Sequence, residues 1–364
     1  HWKNLNGLWD FNVVDRSENR VDAFPGKILV PFALESALSG VRRPLLAGER
    51  LWYRRSFSVP DNWGSTDRIL LHFGAVDWRA EIFVNGKKQG MHEGGFTAFS
   101  LDITDATVRG ADNELIVAVW DPTDSRGASQ QRGKQTLSPA MINYTASSGI
   151  WQTVWIEPVQ DSRIDGVFAA ADISRGKIEL QIDVNGDCAD LRVEAILVND
   201  EGCFTADASE PLIIELDAPR LWSPDDPHLY PVSLRLLRGD QLVDEVTSYF
   251  AVREVGVEGR AGERYLTLNG QPIFHNGLLD QGYWPESIYT APCDEALIYD
   301  IEKMKDSGFN MLRKHIKIEP ARWYYHADRL GMLVWQDMLN GGSIIPPKGL
   351  WVDYLQHVAP LGIA

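Results

Sequence analysis

"FNMLRKHIKIEPARWYYHADRLGMLVWQDM", residues 309–338, decides the fold. A short apolar run ends at Arg313, Lys314 and His315. Pro320 then opens a segment with Trp323, Ala327 and Leu330 on one helical stripe, Gly331 closes it, and the apolar run "MLVWQDM" follows. Proline suits a helix start and glycine the residue past a helix end, so the stretch reads strand, helix, strand. Upstream, "DEALIYDIEKMKDSG" (294–308) predicts a helix with Leu297, Ile301 and Met304 on its inner stripe, Asp294 as N-cap and Gly308 as stop. "QPIFHNGLL" (271–279) is expected as the strand before it. Three strands alternating with two helices make a parallel sheet, and chemistry in such sheets gathers at the carboxyl ends of the strands.

That rim carries the candidate residues. Arg313 and His315 are two apart and so share a face at the end of the second strand. Asp337, in phase with Trp335, ends the third strand, and His275, Asp280 and Gln281 are expected at or just beyond the end of the first. Cations at a buried strand end require an anionic or polar partner. The predicted binding set is Asp280, Gln281, Arg313, His315, Trp335 and Asp337, suited to a polyhydroxylated ligand. Its hydroxyls would meet charged and planar groups while the indole covers apolar C–H surface. Plainer readings stand beside these: Arg313 as a structural ion pair, His315 as a core histidine, Asp337 as a loop cap, Lys314 as a salt-bridge residue, and Trp323 and His326 as packing.

Ahead of this unit the text is strand-like. "RAEIFVNGKKQG" (79–90) alternates Ala80, Ile82 and Val84 against Arg79 and Glu81, and Asn85-Gly86 is the pair best suited to a tight hairpin. "NELIVAVWD" and "GIWQTVWIEPV" continue the pattern, which predicts an antiparallel β-sandwich over 1–159 with Trp9, Trp78, Trp120, Trp151 and Trp155 mostly in its core. From 160 to 260, "KIELQIDV", "LRVEAILVND", "YPVSLRLLRGD" and "LVDEVTSYFAVREV" space out some seven short strands, as in an immunoglobulin-like sandwich. Residues 261–364 form the third unit. The paired glycines of "HEGGFTAF" (92–99) read as a tight bend. The polar stretch "DPTDSRGASQQRGKQTL" (121–137) is too long for a turn and is either functional or solvated.

Bulk properties remove several classes. Among 364 residues, 51 acidic against 35 basic side chains give a net charge of −16, which opposes nucleic acid and anionic membrane as partners. No stretch approaches the roughly 18 apolar residues of a membrane helix. Three cysteines, Cys188, Cys203 and Cys293, make no disulfide framework and no metal-ligand spacing, and Cys188 and Cys203 are expected as lone buried thiols. No cofactor and no metal are expected.

Several stretches together resemble glycoside hydrolase family 2, the group of β-galactosidases, β-glucuronidases and β-mannosidases. They are "HWKNLNGLWDF", "VDWRAEIFVNGKKQGMHEGGFTAFSLDIT", "SGIWQTVWIEPV", "LWSPDDPHLYPVSLRLL" with "VTSYFAVREV", and residues 309–338. They occur in the order that family uses. The resemblance implies a jelly-roll sugar-binding domain, an immunoglobulin-like domain and the beginning of a catalytic (β/α)₈ TIM barrel. It implies that Arg313 supports the nucleophilic carboxylate and that the 121–137 stretch reaches the barrel mouth.

A barrel of this kind needs about 250 residues, so only its first three strands fit after Tyr265. The family places its acid/base glutamate after the fourth strand in an Asn-Glu pair and its nucleophile after the seventh. No Asn-Glu pair follows Tyr265, and "NGGSIIPPKGLWVDYLQHVAPLGIA" (340–364) does not read as a continuation of the barrel. The expectation is the amino-terminal portion of a retaining exo-β-glycosidase acting on carbohydrate, β-galactosides first, with both catalytic glutamates and the partner of Arg313 outside the chain. The alternative is a non-catalytic carbohydrate-binding protein using the jelly-roll domain. Three barrel strands would leave two sheet edges and the apolar faces of two helices uncovered, so either further chain or a homo-oligomer is expected to cover them.

Overall fold

A computed structural model describes residues 2–65, 67–126, 130–198, 202–260 and 262–339. The first sandwich sets a six-stranded sheet, in the order Gly26–Val30, Gly7–Asp15, Glu49–Ser58, Asp112–Trp120, Arg79–Val84, Lys87–Glu93, against a four-stranded one built from Lys3–Asn4, Val154–Val159, Arg68–Phe73 and Phe99–Asp102. Alternation sorts the faces. Ala80, Ile82 and Val84 are completely buried with Trp9, Tyr53, Phe73 and Val117, and Ile82, Val84 and Val117 each contribute on the order of 1.5–3 kcal/mol. Asn85 and Gly86, at φ +49° and +76°, form the tight turn that joins Val84 to Lys87. Of the five tryptophans expected inside, Trp9 and Trp151 are fully buried, whereas Trp78, Trp120 and Trp155 are half-buried. Trp120 is covered by Arg16, and Trp155 stacks on His72.

The second sandwich pairs a three-stranded sheet (Arg163–Asp172, Lys177–Asn185, Leu212–Glu215) with a four-stranded one (Cys203–Asp207, Leu191–Leu197, Tyr230–Arg238, Gln241–Phe250). Ile178, Leu180, Val193, Leu234 and Leu236 fill its interior. Cys188 is half-buried against the edge of this core, Cys203 is exposed, and both are free, so the expectation of two buried thiols is corrected.

A hairpin that the sequence reading missed comes next. Val255–Arg260 pairs with Glu263–Leu268, which turns through Asn269-Gly270 (φ +53° and +71°) into Gln271–Pro272. Beyond it lies the parallel unit: β1 (Gly277–Asp280), α1 (Asp294–Asp306), β2 (Met311–Lys314), α2 (Ala321–Leu330) and β3 (Leu333–Gln336), with sheet order β1-β2-β3. β1 starts later than "QPIFHNGLL" suggested, because Asn276 and Asn310 bond each other's neighbouring backbone and end the pairing at Gly277. His275 therefore precedes β1 and is not at its carboxyl end. The N-cap of α1 is Cys293, with Asp294 the first helical residue, while Gly308 (φ +86°) and Gly331 (φ +74°) end their helices as expected.

The helices' apolar stripes are covered. Leu297, Ile301, Trp323 and Ala327 share one core with Ala33, Ala75, Phe96 and Trp151 of the first sandwich. The expectation that these faces lie open is thus corrected, because the first sandwich supplies the opposing surface. Asp328 on α2 ties the second sandwich in through the Trp222 indole, the Tyr249 hydroxyl and Arg253. The opposite face of the sheet is uncovered, with Leu279 52% and Trp335 46% exposed. Among the described residues no helix is long and apolar enough to cross a membrane. Residues 340–364 lie outside the described residues.

Candidate functional site

On the uncovered face three of the expected residues meet. Register sets Arg313 of β2 opposite Trp335 of β3, and Asp337 follows one residue past β3, with its N–H donating to the Lys314 carbonyl at 3.0 Å. The Arg313 guanidinium donates from Nε and Nη2 to the two Asp337 carboxylate oxygens at 2.8 and 3.1 Å, a planar fork. His315 Nδ1 lies 2.6 Å from Asp337 Oδ2. The anionic partner of Arg313 is therefore within the chain, which corrects the expectation of a partner elsewhere. Trp335 donates its indole N–H to His275 Nδ1 at 2.9 Å; burial holds that imidazole below its usual pKa, which suits it as an acceptor. A cleft of about 370 Å³ runs from the hairpin's Leu266 and Leu268 past His275 and Trp335 to Asp337, within the size range of small-molecule sites.

Asp280 and Gln281 do not join this group. Leu279, not Asp280, stands opposite Arg313, so the Asp280 side chain falls on the other face with Lys314. There Lys314 Nζ donates to Asp280 Oδ2 at 2.6 Å and to Glu319 Oε1 at 2.9 Å, while lying 4.2 Å from the centre of the Trp323 ring. Lys317 Nζ donates to the same Glu319 oxygen at 2.9 Å and to the Gly282 and Tyr289 carbonyls at 2.6 and 2.8 Å. Lys314, Lys317 and Glu319 are buried. Burial alone would lower the Lys314 pKa, but Glu319 and Asp280 raise it. For Lys317 burial wins and the pKa falls. Burial would raise the Asp280 pKa, but Lys314 and Lys317 hold it below the usual value. Gln281 keeps a buried side-chain oxygen with no hydrogen-bond partner among the described residues. Lys314 is the salt-bridge residue expected, and Trp323 is packed in the core.

The sequence reading missed Lys317 and Glu319 as a buried pair, although two charges alternating with Ile316 and Ile318 were a visible signal. It also missed three carboxyl groups of the first sandwich, Glu35, Asp77 and Asp121. Residues 130–148, which they help to hold, reach the rim. Gly133 (φ +59°) faces the Ile316 carbonyl, where a Cβ would come within 2.8 Å, and the Tyr144 ring stacks on Tyr283 at 4.2 Å. Around this contact Ile288 and Ile316 adopt φ of +62° and +45°. Left-handed backbone is costly for β-branched residues and tends to cluster at functional sites.

Two family models match: "Glycosyl hydrolase 2 galactose-binding domain-like" over 39–151 and "Glycosyl hydrolases family 2" over 162–253. The chain belongs to glycosyl hydrolases family 2. A β-galactosidase from Thermoanaerobacter pseudethanolicus is 25% identical over 303 residues, 79% of this chain and 39% of that protein. A putative β-glucuronidase from Formosa agariphila is 22% identical over 92% of this chain and 41% of its own length. This family 2 chain thus spans about two fifths of those relatives. A solved β-glucuronidase from Ruminococcus gnavus in complex with D-glucuronic acid superposes with a TM-score of 0.77 at 20% identity, over 93% of this chain and 60% of that one, which shows the fold. Because the relatives carry both names, a galactoside is not favoured over a glucuronide.

Proposed function

We propose that the chain is the amino-terminal portion of a retaining exo-β-glycosidase. In this reading residues 1–159 form a jelly-roll sugar-binding domain, 160–260 an immunoglobulin-like sandwich, and 261–364 the opening of a (β/α)₈ barrel. The observation that carries it is the Arg313–Asp337–His315 group at the carboxyl ends of adjacent parallel strands, on the face that a closed barrel would turn inward.

The chemistry follows from charge and reach. Asp337 is held by Arg313 and His315, so it serves as a fixed acceptor for sugar hydroxyls and not as an attacking group. His315, with Nδ1 engaged, offers Nε2 to the same hydroxyls, and Trp335 offers an apolar ring face. Arg313, half exposed, retains guanidinium edge for a further carboxylate, the nucleophile of the resemblance. A retaining pair of carboxyl groups stands about 5–5.5 Å apart; both would come from later barrel strands, which would also cover Leu279 and Trp335.

The test is turnover by the whole protein on nitrophenyl β-galactoside, β-glucuronide and β-mannoside. Cleavage of one of them with retained anomeric configuration supports the reading. Residues 1–364 alone should show none above background. A whole protein that binds sugars and cleaves none of the three would overturn it in favour of a carbohydrate-binding protein.

A further inference from the structure

The hydrogen-bonded charges in and beneath the rim balance one another. Arg313 is matched by Asp337, and Lys314 and Lys317 are matched by Asp280 and Glu319. Two further cations stand beside them without a match. Arg132 and Lys134 flank Gly133, where a Cβ would come within 2.8 Å of the Ile316 carbonyl and 3.0 Å of the Tyr289 hydroxyl. Both residues are half-buried, and among the described residues neither side chain forms an ion pair or a hydrogen bond. Consecutive Cα atoms are about 3.8 Å apart, so each cation is rooted one residue from a contact that adjoins His315.

The turn that carries the two cations is held from both sides. The Gln135 N–H donates to the Arg132 carbonyl at 3.2 Å across Gly133 (φ +59°), and the Lys134 carbonyl accepts from the N–H of Tyr144, whose ring stacks on Tyr283. Gln135 is buried, its amide donating to Asp77 at 2.7 Å and accepting from the Ser147 N–H at 2.6 Å. Asp77 thus anchors the turn, yet among the described residues it pairs with neither cation. Partial burial of an unpaired cation costs free energy. An anion arriving with the ligand offsets that cost at both residues, and a neutral hydroxyl does not.

We propose that Arg132 and Lys134 recognise the carboxylate of a uronic acid, so that the sugar taken at this rim is a β-uronide in preference to its neutral counterpart. The inference rests on the glycosidase reading above. A uronide carries ring hydroxyls for Asp337 and His315 and, beyond its ring, a carboxylate for the sandwich side of the rim. Arginine supplies a planar fork for that carboxylate and lysine a compact charge. Because the turn is already held by Gln135 and Tyr144, little ordering is left to the binding step. A uronide and its neutral twin differ only in a carboxylate against a hydroxymethyl group, and a site built for the charge rejects the analogue that lacks it.

Kinetics of the whole protein on two matched pairs test this: nitrophenyl β-glucuronide against β-glucoside, and β-galacturonide against β-galactoside. In the pair that is cleaved the uronide should have the higher kcat/KM. Arg132→Gln and Lys134→Gln should each lower the uronide-to-neutral ratio roughly 10-fold or more, with the melting temperature held. A wild type that favours the neutral twin overturns the proposal, as do variants that leave the ratio where it was. An equal loss on both twins also overturns it, because it marks cations engaged by the protein's own chain. Cleavage of none of the four counts against the glycosidase reading and leaves calorimetry to decide the cation pair. The wild type should then bind methyl β-D-glucuronide more tightly than methyl β-D-glucoside, and the double variant should lose that preference by roughly 10-fold or more. Equal affinity for the two sugars, or none for the glucuronide, overturns the proposal.

Discussion

Glu319→Gln probes the buried charge network beneath the rim. The Glu319 carboxylate has 3% of its side chain exposed and one oxygen shared by two ammonium groups at 2.9 Å. Amide replacement keeps the shape and an accepting oxygen but leaves Lys314 and Lys317 with Asp280 as the one hydrogen-bonded counter-charge among the described residues and Asp300 as a more distant one. Stranding a buried charge costs about 3–5 kcal/mol; because the hydrogen-bond geometry survives, about 3 kcal/mol is the expected loss. At 1.4 kcal/mol per decade, exchange of the β2 and α2 amides by opening of this unit should accelerate by roughly 100-fold. Lys317, whose pKa burial already lowers, is the group that would shed its proton. A base with a depressed folded pKa costs most below that value and nothing above its unfolded value, so the deficit should shrink as pH rises toward 10. Adding Lys317→Met removes the stranded cation and should restore much of the loss through the remaining Lys314–Asp280 pair. A Glu319→Gln protein within about 1 kcal/mol of wild type, or a double variant worse than the sum of its parts, would refute the reasoning.

Three further outcomes are expected. Arg313→Lys in the whole protein keeps the charge beside Asp337 but loses the fork, so kcat should drop by about 10² with the melting temperature nearly unchanged; a destabilised protein with normal turnover would instead mark a structural ion pair. Trp335→Ala removes a ring that is 46% exposed, so stability should hold while KM for the cleaved glycoside rises roughly 3–10-fold, and an unchanged KM would remove the indole from the site. Gly331→Ala sets a methyl group 2.4 Å from the Pro224 carbonyl at φ +74°, which should cost more than about 1 kcal/mol in a thermal melt, and an unshifted melt would contradict that packing.

What the chain discloses in advance depends on how local the cause is. "RAEIFVNGKKQG" is legible because alternation and an Asn-Gly pair act within a dozen residues. α2 is legible because Pro320 and Gly331 bracket one stripe. "LNGQP" carried the same turn pair and was passed over, since the strands around it are short. In the site, Arg313 and His315 follow from a period of two on one strand. Asp280 was misplaced because its face depends on register against β2, and a one-residue offset moves a side chain through the sheet. For Lys317 the alternation with Ile316 and Ile318 signalled burial, but its partners did not show, because Gly282 and Tyr289 lie on a segment that only the packed fold brings near.

The seam between the units explains why so much ordered structure surrounds a rim of few polar groups. Ile288 and Ile316 sit in backbone conformations that each cost on the order of 1–3 kcal/mol, and such strain persists only where neighbours over-determine it. They do so here. The Thr290 hydroxyl donates to the Trp151 carbonyl at 2.6 Å with the Pro31 carbonyl an alternative acceptor at 2.9 Å, Tyr283 and Tyr289 join hydroxyls at 3.0 Å, and Lys317 lies under the Tyr289 ring at 5.0 Å. Gly133 brings the first sandwich's loop onto Ile316, next to His315. A shift of that loop would therefore move the residue that aims His315 at Asp337. On this geometry the first sandwich is a wall of the rim, and changes at Gly133 or Tyr144 should disturb ligand binding before they disturb the sandwich core.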